Sequence, residues 1–215
     1  KKAESEIIQL SIKNTQKLVD LRCKLIIVAC NTATTNAIEV LRKKFNIPIV
    51  GIEPAIKPAM LETKSNNIGV LATEKTLSSN LFLKTSDRFS KGINIHEQIG
   101  FDLVKIIEEN GINEELLIPK LREYIEPMLE KNIDHLVLGC THYYYLMYLL
   151  KKILPNGVKI LDSSRAVTKR VKNLLKDYNI DSNTSKTKNI FLCTGNDNVI
   201  KKFLSSNDKI SKITL

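Results

Sequence analysis

The 215-residue sequence sets 33 Lys and Arg against 23 Asp and Glu, a net charge of +10, with 43% hydrophobic and 26% charged residues. That balance is ordinary for a globular protein with a sizeable core, in one large or two small domains. The longest apolar stretches, such as Leu25 to Cys30, fall far short of the roughly 20 residues a membrane-spanning helix needs, and the first residues, with no Met and no apolar run of the signal-peptide kind, read as an internal start.

Short apolar runs of strand length alternate with amphipathic runs of helix length throughout, the pattern of an α/β protein with mainly parallel strands. In chain order the pattern predicts a helix over 4–21, a strand over 24–29, a helix over 34–45 and a strand over 47–52. A strand over 67–71, a helix over 76–82 and a strand over 94–96 come next, then a helix over 114–130 and a strand over 135–138. The last third reads as a helix over 144–153, a strand over 158–161, a helix over 164–178, a strand over 189–193, a helix over 197–204 and a weaker strand over 209–214. A parallel sheet needs a strand before the first crossover helix, so the opening helix implies a strand upstream. The stretch from Pro54 to Pro58 and the turn Asp162-Ser163-Ser164 are the expected crossings between two lobes.

The basic residues fall mostly as short pairs on these helices, such as Lys43-Lys44, Lys151-Lys152 and Lys201-Lys202. Solvated helix faces explain that distribution better than a nucleic-acid surface does. A positive background also favours a dianionic substrate. Four cysteines, none in a CxxC pair, make neither a disulfide framework nor a zinc site, and a reducing cytoplasm is their natural compartment.

Two of those cysteines carry the functional signal. Leu25-Ile26-Ile27-Val28-Ala29-Cys30-Asn31-Thr32 and His135-Leu136-Val137-Leu138-Gly139-Cys140-Thr141-His142 share one plan: strand, small residue, Cys, polar pair, helix. Ligands bind at the carboxyl ends of such strands, beside the helix N-termini that come after them. A Cys there feels the positive end of the helix dipole, which lowers its pKa toward neutrality. Asn31, Thr32 and Thr141 can donate hydrogen bonds to a carboxylate, and His142 either poises Cys140 or contacts substrate. Two thiols facing one α-carbon from opposite sides can exchange its proton between faces, the geometry of stereoinversion. A single Cys closing a buried strand is ordinarily a small hydrophobe, which fits Cys23 and Cys193, and His96 and His135 read as surface or helix-capping histidines. Tyr143-Tyr144-Tyr145 reads as a partly buried helix start rather than a stacking box for a cofactor.

At these residues the chain resembles the glutamate racemases of the aspartate/glutamate racemase superfamily. Cys30-Asn31-Thr32-Ala33-Thr34 is similar to the family's first catalytic turn and Leu138-Gly139-Cys140-Thr141-His142-Tyr143 to its second. The stretch from Pro48 to Ala59, Val70-Leu71-Ala72-Thr73, Leu161-Asp162-Ser163 and Cys193-Thr194-Gly195-Asn196 are similar to family segments as well. The resemblance implies that Cys30 and Cys140 are the two acid/base thiols of a racemisation that needs no cofactor and no metal. It implies that Asn31, Thr32, Thr73, Thr141 and His142 hold the substrate, and that Glu108 or Glu109 assists near the second Cys. The fold it implies is two pseudo-symmetric α/β lobes, each a mainly parallel sheet flanked by helices, with the site in the cleft between them. Residues 1–57 with 163–215 would form one lobe and 58–162 the other. A homodimer is compatible with the resemblance.

The sequence also departs from the family. An Asp-Ser glycine-rich turn and a Tyr-Gly segment precede the first Cys turn in family members and are absent here, which implies that they lie upstream. Tyr144-Tyr145 stands where Pro-Leu is common, and Gln98-Ile99-Gly100 lacks the usual Pro. Besides glutamate racemisation, supplying D-glutamate for peptidoglycan, two alternatives stand: aspartate racemisation, and a non-catalytic binding protein of the same fold.

Overall fold

The computed structural model describes residues 2–89, 92–180, 188–205 and 208–215. Its elements run α1 (Glu4–Asp20), β1 (Ile26–Val28), α2 (Asn31–Lys44), β2 (Ile49–Gly51), α3 (Ile56–Glu62), β3 (Asn67–Ala72), α4 (Glu74–Leu77), α5 (Asn80–Phe89), β4 (Asn94–Ile99), α6 (Leu103–Asn110) and α7 (Glu114–Glu130). The chain continues with β5 (His135–Gly139), a 3-10 helix (Thr141–Leu146), α8 (Met147–Ile153), β6 (Lys159–Leu161), α9 (Ser164–Asp177), β7 (Phe191–Cys193), α10 (Asn198–Lys201) and β8 (Ile210–Lys212). All eight expected strands are present, and every pairing among the described residues is parallel. The fold is therefore α/β, with parallel sheets flanked by helices.

The central sheet has strand order β4-β3-β5-β6, while β1-β2 and β7-β8 form two-stranded sheets. All five residues of β5 are buried, as a strand covered by helices on both faces requires. One face of the central sheet packs on α6, α7 and α8 through Leu71, Leu103, Ile107, Leu121, Ile125 and Leu136. The other packs on α3 and α5 through Ile56, Ala59, Ile68, Val70, Phe82 and Val137. A third core joins β1 and β2 to α1 and α2 around Ile26, Ile38, Leu41 and Ile49. Cys23 packs at its edge, in the role of a small hydrophobe.

Three departures from the expected helices have a local reason each. α3 was expected to be a crossing loop, but Pro58 falls in its first turn, where the missing N–H has no helical partner to lose. The single helix expected over 76–82 is two, because the Ser79 hydroxyl accepts a hydrogen bond from the Phe82 amide and starts α5 afresh. α6 was not read from the periodicity; it is two turns long and buries Leu103 and Ile107, four residues apart on one face. His135 also differs from its expected surface position. It is 2% exposed, with Nδ1 2.7 Å from Asp134 Oδ1. His96 is partly buried and lies 2.9 Å from Asn67 Oδ1 through Nε2.

Candidate active site

In the central sheet the chain passes from β3 outward to β4 and then returns to β5 on the other side of β3. The crevice at the carboxyl ends of β3 and β5 is therefore the topological switch point, where open α/β sheets bind ligands. The final register pair is Ala72 with Gly139. The next residues are Thr73 and Cys140, so the two strands deliver both side chains to the same edge. Gly139 permits this approach, because a Cβ built on it would lie 2.5 Å from Ala72 Cβ.

Cys30 leaves the end of β1 and stands immediately before α2, which starts at Asn31 rather than at residue 34 as expected. Thr34 fixes that start, donating from Oγ1 to Val28 O and accepting from the Ile52 amide, both at 3.0 Å. The two cysteine turns are joined directly: Thr141 Oγ1 donates to Ala29 O at 2.6 Å, across 112 residues of sequence. The two thiols are close enough that charge on Cys30 raises the pKa of Cys140.

Their surroundings differ. Cys30 is exposed and Cys140 partly buried. Burial pushes the Cys140 thiol up to about 11, with charge on Cys30 and Glu108 adding to the shift and the His142 and Tyr143 amides opposing it. The lowering expected from a helix N-terminus does not prevail at Cys140. The residues after it form a 3-10 helix rather than an α-helix, and loss of solvent outweighs the pull of those two amides.

Around the thiols the structure gathers the other expected residues. Asn31 is 3% exposed, and neither its Nδ2 nor its Oδ1 has a hydrogen-bond partner. A buried amide left unpaired is costly, and this one lines a cavity of about 290 Å³ together with Cys140, Thr141, Tyr144, Tyr145 and Ser163. Thr32 and Thr73 meet at 2.8 Å, and both reach Thr76, at 3.2 and 3.0 Å, closing a triangle of hydroxyls. Thr76 is fully buried and was not singled out from the sequence, although its place three residues after Thr73, in the turn after a strand, was a usable signal.

His142 Nε2 lies 2.9 Å from Glu108 Oε1. An ionised carboxylate only accepts, so Nε2 carries the proton in this pair. Between the two acids left open by the sequence, Glu108 is the one that meets His142. Tyr143 is buried completely and donates to Gly100 O at 3.1 Å, which is more than the partly buried position expected. Tyr144 and Tyr145 are exposed. Cys193 stands apart from this group, at the end of β7 with its Sγ 3.6 Å from Gly195 O.

Parallel α/β sheets with one cysteine turn at the switch point of the central sheet and a second bonded to it are the frame of an amino-acid racemase. Residues 5–171 match the sequence model of the Asp/Glu/Hydantoin racemase family, and the chain belongs to that family. It is similar to the glutamate racemase of Ralstonia pickettii, with 36% identity over 194 residues, covering 90% of this chain and 69% of that protein. Among solved structures, a glutamate racemase isoform of Bacillus anthracis superposes with a TM-score of 0.86 at 24% identity, over 100% of this chain and 82% of that one, a likeness of fold. The Escherichia coli glutamate racemase, solved with L-glutamate and the activator UDP-MurNAc-Ala, gives 0.83 at 27% identity, over 100% of this chain and 83% of that one. Among the described residues no helix is long and apolar enough to cross a membrane.

Proposed function

We propose that this protein interconverts L- and D-glutamate, with Cys30 and Cys140 as the two acid/base groups. The observation that carries the reading is the Thr141 to Ala29 hydrogen bond, which holds one cysteine turn against the other. In each direction one sulfur, as thiolate, takes the α-proton, and the other, as thiol, gives its proton to the opposite face. The thiolate ends as thiol and the thiol as thiolate, with no net change in charge or oxidation state. Burial pushes the Cys140 thiol up to about 11, which favours its protonated form, the form that donates in one of the two directions. The Glu108–His142 pair stands beside it to orient the imidazole.

Asn31, Thr32 and Thr73 supply side-chain donors for the substrate carboxylates, Thr76 supports two of those hydroxyls, and Thr141 and His142, whose side chains face Ala29 O and Glu108, complete the substrate site beside them. Glutamate is favoured over aspartate because the curated relatives at 36–37% identity are glutamate racemases. Supply of D-glutamate to peptidoglycan in the cytoplasm follows from that activity. The division into lobes 1–57 with 163–215 and 58–162 is part of the same proposal, with 1, 90–91, 181–187 and 206–207 outside the described residues. It is supported by the bond from Ser163 Oγ to Glu53 O, which joins the second expected crossing to the residue just before the first.

In deuterated buffer the full-length protein should wash solvent deuterium into the α-position of either enantiomer, read by proton NMR. Replacing either Cys by Ser should lower racemisation by about 10² to 10⁴. Near-normal turnover with both replaced would exclude the thiol mechanism.

A further inference from the structure

We propose that Lys202 and Phe203, at the end of α10, are positioning residues for the Glu108–His142 pair; this rests on the proposed function. The Lys202 ammonium donates to Glu108 O at 2.6 Å and to Glu109 O at 2.7 Å. These carbonyls belong to the last turn of α6, where a helix has no N–H of its own to offer and where the dipole favours a cation. One ammonium thus caps the turn from which the Glu108 side chain reaches His142.

Phe203 fastens the other partner. Its ring stacks on Tyr145, with centroids 4.5 Å apart and planes at 25°. Tyr145 lies three residues after His142 in the 3-10 helix, and residues at that spacing share one edge of such a helix. Phe203 also packs against the core formed by α6, α7, α8 and β5. Adjacent residues of one short segment therefore grip the two elements that carry the pair.

The segment is itself anchored. Asp197 pairs with Lys201 at 2.8 Å and with Lys212 of β8 at 3.4 Å, and the amides of Lys202 and Phe203 close turns onto Val199 O and Ile200 O. A grip on backbone carbonyls and on a ring sets the distance between α6 and the 3-10 helix without touching substrate. That makes these residues supports for the histidine and leaves the acid/base work to the thiols.

The test uses the full-length protein with Lys202→Met, which keeps the apolar stem and removes the cation, and with Lys202→Arg, which restores two donors. Lys202→Met should lower kcat by roughly 10- to 100-fold, the cost of a displaced catalytic environment, and Lys202→Arg should recover most of it. In a Glu108→Gln background, Lys202→Met should cost little more, because both changes act through one pair. With ¹⁵N-labelled histidine, the His142 Nε2 signal in Lys202→Met should move toward that of Glu108→Gln, a readout independent of turnover. Phe203→Leu should shift the same signal by less. An unchanged His142 signal would overturn the inference. So would a full additional loss in the Glu108→Gln background, or a lower melting temperature with kcat unchanged. If the wild type itself turned over no glutamate, the proposed function would fall while the His142 signal still decided the positioning.

Discussion

The turns at Cys30 and Cys140 share a local sequence plan but present their sulfurs to different surroundings. Cys30 stands exposed before the 14-residue helix α2, whereas Cys140 is partly buried before a 3-10 helix, with its pKa pushed up to about 11. Even the small residue before each Cys differs for a reason. Ala29 carries a methyl group, while a Cβ at 139 would meet Ala72 at 2.5 Å. A motif therefore places a thiol at the edge of a sheet, and its packed neighbours set its chemistry. The proposed two-base chemistry would therefore run between sulfurs in unlike surroundings, one open to solvent and one largely withdrawn from it.

The largest expected effect is in thiol reactivity. With a pKa near 11, Cys140 is a thiolate in roughly one molecule in a thousand at pH 8, and only the thiolate alkylates. Iodoacetamide labelling followed by peptide mass spectrometry should find Cys140 about two to three orders of magnitude slower than an ordinary free thiol, and about tenfold faster for each added pH unit until the pKa is passed. Rapid labelling of Cys140 at pH 7 would erase the asymmetry.

Next in size is Gly139→Ala. The added methyl must displace Ala72 or part β5 from β3, at about 1–3 kcal/mol for overpacking. The melting temperature should fall, and Ala29→Ser in the first turn, where a Cβ is already accommodated, should serve as the mild control. The smallest effect belongs to Thr141→Val, which removes the hydroxyl bridging to Ala29 O. It should cost about 1 kcal/mol in stability, the worth of one hydrogen bond, and should lower kcat more than that figure alone implies, because the turns lose their tie. A Thr141→Val variant with unaltered turnover would show that the bridge is dispensable.

How much of this site could be read from the sequence depended on the range of the interactions. β5 was legible because a run of strand residues leads into Gly139-Cys140, and α7 because its apolar positions repeat over 17 residues. α6 was hidden, since two turns containing Leu103, Val104, Ile106 and Ile107 carry too few residues to separate a helical period from a plain apolar run. The buried state of His135 was equally hidden, because it depends on Asp134. Desolvation raises that carboxyl's pKa, but hydrogen bonds from His135, Thr63 and the Ser65 and Lys64 amides outweigh it and hold the group well below the usual carboxylate range. Choosing Glu108 over Glu109, and predicting the high pKa of Cys140, required knowing which helix faces which strand end, and that is a property of tertiary packing.

The hydroxyls of Thr32, Thr73 and Thr76 have one hydrogen each and together can close a ring in which every oxygen both gives and receives. A carboxylate oxygen can only receive, so a substrate anion held here, as the proposed function has it, would open the ring and turn a hydrogen toward itself. Its docking then exchanges existing bonds for new ones instead of adding them to empty valences. For a catalyst whose two products are mirror images and must both depart, such an exchange favours quick release over tight retention.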